Sequence, residues 1–132
     1  MDIGAFDGID FSNTFYMEKE LGWKGICVEP NPLVFEKLVV NRNCVCINAC
    51  ISNKIGVQKF IAITGHEIML SGLTDFINEK HMIRINEGIS KYGGNKKIID
   101  VESLSITNIL ENQLIQKIDY CNIDVEGVEI SV

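Results

Sequence analysis

A glycine-bearing segment at the start of the chain has the residue types of a ligand-binding turn. Asp2, Gly4 and Gly8 stand between a short apolar stretch and a predicted helix. Glycine permits a tight turn and lets a ligand approach the backbone closely, and the first turn of a helix presents unpaired N–H groups. The spacing differs from the Gly-x-Gly-x-x-Gly loop of dinucleotide-binding domains. The segment therefore predicts a ligand-binding turn or, alternatively, an ordinary strand-to-helix turn.

Glu29 ends the next apolar run and is an acid of the kind that holds a ribose. A carboxylate at the end of a strand can accept hydrogen bonds from two ribose hydroxyls. The simpler interpretation is a surface glutamate ahead of a turn. Because ligands of parallel sheets bind outside the carboxyl ends of the strands, Gly4 and Glu29 predict the same crevice.

Asn48 is a polar residue late in the third apolar run, residues 44–51. Its amide is placed to meet the edge of an adenine ring bound in such a crevice. A hydrogen bond between this amide and a neighbouring loop is an equally good interpretation.

Three carboxylates, those of Asp124, Glu126 and Glu129, crowd the last predicted strand-to-helix junction. Acidic residues suit a helix N-terminus electrostatically, which is the simpler explanation. The alternative places Asp124 beside a reacting group, as a general base or a substrate anchor. His66 and His81 are isolated, and neither is assigned a role, although a histidine can act as a base near neutral pH.

Strands and helices alternate along the chain, as in an α/β fold with a mainly parallel sheet. Predicted strands cover residues 1–3, 26–29, 44–51, 57–63, 98–101 and 119–125. Predicted helices start at Asp10 or Ser12, at Asn31, within 74–91 and at Ser105. The strands 44–51 and 57–63 resemble a hairpin. The candidate residues follow the strands, where ligands of such sheets bind.

The composition is that of an ordinary globular domain, with 132 residues, 46% of them hydrophobic, and a net charge of −6. This acidity argues against a nucleic-acid-binding surface.

No stretch has the length of a transmembrane helix or the features of a signal peptide. The five cysteines are odd in number and lie mostly in apolar runs, so we expect free thiols in a reducing, cytoplasmic setting. Their spacing matches no zinc site, and we expect no metal.

Several motifs together resemble the FkbM-type methyltransferase family. They are Asp2-Ile3-Gly4-Ala5-Phe6-Asp7-Gly8, Ser12-Asn13-Thr14, Gly22-Trp23-Lys24-Gly25-Ile26-Cys27-Val28-Glu29-Pro30-Asn31-Pro32, Ser71-Gly72-Leu73, Val101-Glu102-Ser103-Leu104 and Ile123-Asp124-Val125-Glu126-Gly127-Val128-Glu129. The resemblance spans nearly the whole chain. It implies a Rossmann-like class I methyltransferase fold with helices on both faces of the sheet. It also implies S-adenosyl-L-methionine as the cofactor and methyl transfer, usually to an oxygen of a sugar or another small metabolite.

The resemblance also assigns residues by position. The cofactor-binding residues it implies are Asp2, Gly4, Ala5, Asp7, Gly8, Ser12, Asn13, Glu29, Pro30, Asn48 and Ala49. The residues around Gly4 surround the methionine end, Glu29 holds the ribose, and Asn48 lies near the adenine. Asp124 and Glu126 face the methyl centre as the catalytic candidates. The implied partner is a small acceptor bearing a hydroxyl, and homo-oligomerisation stays open.

Two other functions stay open. An NAD-dependent dehydrogenase would share the loop and Glu29, but should show the tighter glycine spacing. The other is a truncated domain that binds the cofactor without catalysis or serves as an interaction surface. We expect residues 1–132 to form a single, partial domain, because the first strand is short and few residues follow Asp124.

Overall fold

The computed structural model of the protein describes residues 1–125, in which strands and helices alternate. The strands are β1 (Asp2–Ile3), β2 (Ile26–Val28), β3 (Val45–Ile47), β4 (Cys50–Ile51), β5 (Gly56–Ile63), β6 (Gly72–Leu73), β7 (Lys96–Leu104) and β8 (Asn122–Ile123). The helices are α1 (Phe15–Lys19), α2 (Pro32–Asn41), α3 (Glu79–Tyr92) and α4 (Ile106–Asn112). Short 3₁₀ turns, Ile68–Leu70 and Thr74–Phe76, flank β6.

The first sheet, in the order β3-β2-β1-β8, is entirely parallel. In it, Asp2 of β1 pairs with Cys27 of β2 on one side and with Asn122 of β8 on the other. Alternate residues of a strand face opposite sides. Ile26 and Val28 therefore pack toward α4, and Cys27 packs toward α2. The predicted parallel sheet with helices on both faces is confirmed.

The start of α2 is the one that the sequence predicts. The Asn31 side chain accepts a hydrogen bond from the N–H of Leu33 at 3.2 Å. Pro32 occupies the first turn, where its missing N–H costs nothing. Leu38 is fully buried, whereas the neighbouring Val39 is half exposed.

α1 is shorter than the helix predicted from Asp10 or Ser12. It begins at Phe15, and Phe11, expected within the helix, precedes it and is 77% exposed. Ser12 Oγ still accepts hydrogen bonds from the N–H groups of Thr14 (3.3 Å) and Phe15 (3.1 Å). Ser12 therefore supports the helix start as predicted, although Thr14 is the N-cap residue.

The second sheet, in the order β4-β7-β5-β6, differs from the sequence-based expectation. β5 is antiparallel to β6 and β7, and β4 is parallel to β7. The run 44–51 divides into β3 of the first sheet and β4 of the second. The expected hairpin is wrong because β7 lies between β4 and β5. The reason is length: β7 spans 9 residues and pairs along the whole of β5, whereas β4 offers 2 residues.

α3 and α4 confirm helices within 74–91 and after Ser105. Ser105 and Asn108 form a reciprocal capping box at the start of α4. Ile85 of α3 is buried against Ile63 of β5. Val125 packs against the cores of both sheets, so the sheets meet just after β8. The predicted strand 119–125 is limited to the two residues of β8.

None of the helices within residues 1–125 combines the length and the apolar character that crossing a membrane requires.

Candidate functional site

A pocket opens at the carboxyl ends of β1, β2 and β8, where the first sheet meets the second. It is open to solvent at its mouth and is lined by residues of both sheets. Of the predicted site residues, those lining it are Asp2, Gly4, Ala5, Ser12, Glu29, Pro30, Ala49 and Asp124. The structure therefore brings most of the predicted residues to one crevice.

Gly4 and Gly8 shape the loop after β1 through close packing. Gly4 has a φ of +78°, and a Cβ there would lie 1.8 Å from the carbonyl oxygen of Asp124. Glycine is thus the residue that lets this loop pass beside the end of β8. Gly8 has a φ of +81°, and a Cβ there would meet side-chain carbons of Arg42 and Leu38 at 2.6 Å. Gly8 lies behind the pocket lining and supports it.

The backbone N–H groups at the start of this loop are already bonded within the protein. Those of Gly4 and Ala5 donate to the carbonyl oxygen of Val28 at 2.9 and 3.0 Å. That of Phe6 donates to Glu29 Oε2 at 3.1 Å. These three donors are therefore taken up by the end of β2 and by Glu29. The loop offers a ligand its shape and its side chains instead.

Glu29 is buried at the end of β2, with 7% of its surface exposed. Oε1 accepts from the N–H of Asn31 at 2.8 Å, and Oε2 accepts from Phe6. Burial raises the pKa of this carboxyl to about 7, although both hydrogen bonds act in the opposite direction. A carboxylate has about four lone-pair sites. Each oxygen therefore retains capacity for a hydrogen bond from a ligand hydroxyl.

Asp2 is buried in β1 and accepts hydrogen bonds from three side chains. Oδ2 accepts from the hydroxyls of Thr14 (2.5 Å) and Ser12 (3.2 Å). Oδ1 accepts from the Asn122 amide at 2.9 Å. Asn13, a predicted cofactor residue, donates to Asn122 at 3.1 Å and lies outside the lining. Asp2 therefore ties the loop after β1 to the start of β8.

Arg42, which sequence reasoning missed, holds the same loop from behind. It follows α2, is 5% exposed, and its Nε donates to Glu18 Oε2 at 2.8 Å. Its other acceptors are the Gly8 carbonyl oxygen (3.2 Å) and the hydroxyls of Ser12 (3.2 Å) and Thr14 (3.1 Å). Nη1 lies 3.9 Å from Asp2 Oδ2. We call this group, Asp2, Ser12, Thr14, Glu18 and Arg42, the loop clamp.

Asp7 and Asn48, both predicted to bind cofactor, lie outside the lining and support the loops that form it. Asp7 Oδ1 accepts from the N–H of Asp10 at 2.9 Å. Asn48 Nδ2 donates to the carbonyl oxygens of Glu29 (2.8 Å) and Pro30 (3.2 Å). This geometry agrees with the alternative interpretation of Asn48 as an amide bonded to a neighbouring loop. A contact of either residue with a ligand stays a prediction.

The second sheet and its 3₁₀ turn supply an apolar wall that sequence reasoning missed. We call it the sheet wall, and its members are Cys50, Ile51, Phe60, Ile68, Met69, Ser71, Gly72 and Leu73. The Ser71 hydroxyl accepts from Asn31 Nδ2 at 3.3 Å and from the N–H of Ile63 at 3.0 Å, which joins the wall to the first sheet. The Ser71-Gly72-Leu73 motif was the available sequence signal for this wall.

Apart from the Cys50 thiol, the ionisable side chains that line the pocket are the carboxyl groups of Asp2, Asp10, Glu29 and Asp124. In the part of the chain that the structure describes, no Lys, Arg or His side chain lines it. Phosphates and carboxylates are recognised mainly through such cations. The pocket therefore suits a neutral or cationic ligand better than an anionic one.

Of the two catalytic candidates, Asp124 lies in the lining with its side chain exposed. Its N–H donates to the carbonyl oxygen of Ile3 at 2.9 Å, which fixes it beside β1. Glu126 falls outside the described residues, as does Glu129.

The two histidines lie away from the pocket. His66 stacks on Tyr92 with a centroid separation of 4.5 Å, and His81 Nε2 lies 3.0 Å from the Leu70 carbonyl oxygen. Among residues 1–125, no group of three or more potential metal ligands comes together.

The parallel sheet, the glycine loop after β1 and the buried acid after β2 together define a Rossmann-like α/β domain with a small-molecule pocket. A family model described as Methyltransferase FkbM domain matches residues 2–132. The chain therefore belongs to the FkbM methyltransferase family. The search of curated proteins and the search of solved structures found no match.

Proposed function

We propose that this domain binds S-adenosyl-L-methionine in the pocket and transfers its methyl group to a hydroxyl oxygen of a small molecule. Membership of the family supports methyl transfer in general. Glu29 is the observation that carries the cofactor assignment. It is a buried carboxylate at the end of β2, beside the loop after β1, with acceptor capacity for two ribose hydroxyls.

The rest of the lining fits the other parts of this cofactor. Val34 and Ala49 are buried apolar residues of the lining and supply surface for an adenine ring. The carboxyl groups of Asp2 and Asp124 complement a ligand that carries a sulfonium and an ammonium group. The bound cofactor supplies an electrophilic methyl group.

The chain's own contribution to the reaction is positioning and proton removal. The loop clamp fixes the loop after β1, and Glu29 fixes the ribose, so that one orientation is favoured; such positioning accounts for much of the rate gain in a displacement. A hydroxyl acceptor must also lose its proton. We assign Asp124 as the base because it is exposed in the lining, and Glu126 stays a second candidate.

The acceptor is proposed to be a neutral hydroxyl compound such as a sugar. Phe11 and Met69 line the pocket with large exposed fractions, 77% and 42%, and offer an apolar surface for the ring face of such a molecule. All five cysteines are free thiols, which supports a reducing compartment such as the cytoplasm.

Calorimetric titration of the chain with S-adenosyl-L-methionine and, separately, with NAD tests the cofactor assignment. We expect heat of binding with the first and none with the second; the reverse result would mean a dehydrogenase-type site.

Release of S-adenosylhomocysteine with a panel of hydroxyl compounds then tests turnover. Asp124→Asn should lower turnover by about a hundredfold or more when the cofactor is saturating. Binding without turnover for any acceptor would favour a non-catalytic domain.

A further inference from the structure

Three cysteines share the face of the first sheet that packs against α2. Cys27 of β2 pairs in register with Cys46 of β3. Cys44 lies two residues before Cys46, so its side chain points to the same face. The three pack around Leu38 of α2, and all are free thiols. None of them lines the pocket or takes part in the proposed reaction.

Cys27 and Cys44 are the pair in contact. Their Sγ atoms are 3.4 Å apart, whereas a disulfide bond is about 2.05 Å long. Cys44 lies two residues from Cys46, the register partner of Cys27, so closing the bond requires the backbone at Cys44 to shift as well as the sulfur atoms to approach. Cys46 Sγ instead donates to the Cys44 carbonyl oxygen at 3.6 Å. Cys27 is buried, but Cys44 is only half buried. A small oxidant can therefore reach Cys44 from the side of β3.

The surroundings make Cys44 the more reactive of the two. The hydrogen bond that it shares with Cys27 lowers the pKa of the Cys44 thiol, and the Arg42 charge acts in the same direction, whereas burial and the Glu18 carboxylate oppose them. The same hydrogen bond and burial raise the pKa of Cys27. Cys44 is also the more exposed of the two. Thiolates are the nucleophiles in cysteine oxidation, so Cys44 reacts with the oxidant first and Cys27 then closes the disulfide.

We propose that Cys27 and Cys44 form a reversible disulfide when the protein meets a peroxide. The Cys44 thiolate attacks one peroxide oxygen, and for hydrogen peroxide the other oxygen leaves as hydroxide, which a proton converts to water. The resulting sulfenic acid is then attacked by the Cys27 sulfur, which loses its proton, and the sulfenyl oxygen leaves as a second water. Two thiols are oxidised and one peroxide is reduced. A dithiol such as reduced dithiothreitol reverses the bond by exchange.

The pair is connected to the pocket through the loop clamp. The N–H of Asn43, next to Cys44, donates to Glu18 Oε1 at 2.8 Å, and Glu18 Oε2 accepts from Arg42 at 2.8 Å. Closing the disulfide draws Cys44 toward Cys27, so it strains the Asn43–Glu18 contact. The consequence for the pocket is a looser hold on the loop after β1, and this part of the inference rests on the proposed function.

Peptide mapping tests the bond itself. Tryptic cleavage after Lys24, Lys37, Arg42 and Lys54 separates Cys27 (residues 25–37) from Cys44 (residues 43–54). After hydrogen peroxide and blocking of remaining thiols, we expect these two peptides to be linked, with fragmentation placing the bond at Cys44. The link should disappear with dithiothreitol and in Cys44→Ser. It should persist in Cys46→Ser and in Cys121→Ser.

Linkage through Cys46, or linkage that persists in Cys44→Ser, would overturn the proposal, as would the absence of any link in the wild-type chain.

The coupling to the pocket is tested by S-adenosyl-L-methionine calorimetry on reduced and oxidised protein. We expect oxidation to weaken binding about fivefold or more, and peroxide to leave Cys44→Ser unchanged. Equal affinities for a fully cross-linked protein would contradict the coupling. Failure of the reduced protein to bind would contradict the proposed function and leave the mapped disulfide standing.

Discussion

The two sides of the pocket are built in opposite ways. The loop clamp holds one side with buried charges, in which Arg42 reaches both Glu18 and Asp2. The sheet wall holds the other side by apolar packing of Phe60 and Leu73, with Ser71 as its polar link to the first sheet. Directional bonds thus fix the loop that we assign to the cofactor. The sheet wall, from which we assign Met69 to the acceptor, depends on burial and should tolerate more change.

Replacement of Arg42 should give the largest loss of stability, because Arg42 contacts every other member of the loop clamp. In Arg42→Met, Glu18 and Asp2 keep buried carboxylates without their cation, which typically costs about 3–5 kcal/mol of stability. Urea denaturation measures the loss. Arg84→Met, on the exposed face of α3, is the matched control and should stay within about 0.5 kcal/mol of the wild type. Equal stability of the two variants would contradict a stabilising role for the loop clamp.

Glu29 should make stability depend on pH. Burial raises the pKa of Glu29 from 4.5 to about 7, so the folded state holds this proton more tightly than the unfolded chain does. The stabilisation by the proton is complete below the unfolded pKa of 4.5 and is lost as the pH rises through about 7. The wild type should therefore lose up to about 3 kcal/mol between about pH 5 and pH 8 relative to Glu29→Gln.

Denaturant titrations of both proteins at the two pH values measure this difference. Other titrating groups are common to the wild type and Glu29→Gln, so they cancel. Parallel pH profiles would contradict the raised pKa.

Gly4 tests whether the loop needs close approach to β8. Gly4→Ala and Gly22→Ala both place a side chain at positive φ, +78° and +68°. A Cβ at Gly4 meets the Asp124 carbonyl oxygen, but one at Gly22 meets nothing within 4 Å. We expect Gly4→Ala to be less stable than Gly22→Ala by about 2 kcal/mol, the cost of overpacking. Thermal unfolding of both variants gives the comparison, and equal losses would leave backbone conformation as the whole cause.

Ser71 tests the link of the sheet wall and should give the smallest effect. Ser71→Ala removes the acceptor of the Ile63 N–H and of the Asn31 amide, at a cost of about 1 kcal/mol. Ser90→Ala, on the exposed face of α3, is the control and should change stability by less than about 0.5 kcal/mol. A loss as large as that of Arg42→Met would contradict the contrast between the two sides of the pocket.

The loop side of the pocket was predictable because its signals are local. A strand, a glycine pair and an acid at the next strand end place Gly4 and Glu29 together in any parallel α/β sheet. The hydrogen bonds from the Gly4 and Ala5 N–H groups to the Val28 carbonyl oxygen depend on how the strands pack, and no residue type in the sequence predicts them. Arg42 was missed because its partners, Glu18 and Asp2, are distant along the chain.

The sheet wall was not predictable because it depends on pairing between distant segments. The long β7 separates β4 from β5, which a local reading of residues 44–63 joined as a hairpin. Phe60 and Met69 reach the pocket only through this arrangement.

The central claim is that the Glu29 carboxylate holds the ribose of S-adenosyl-L-methionine in this pocket. Calorimetric titration of the cofactor at about pH 8, above the raised pKa of Glu29, tests it most directly. The wild type should bind, Glu29→Gln should bind about tenfold or more weakly through loss of charge-assisted hydrogen bonds, and Glu87→Gln, on the exposed face of α3, should match the wild type. Equal affinities of the wild type and a folded Glu29→Gln would contradict the claim.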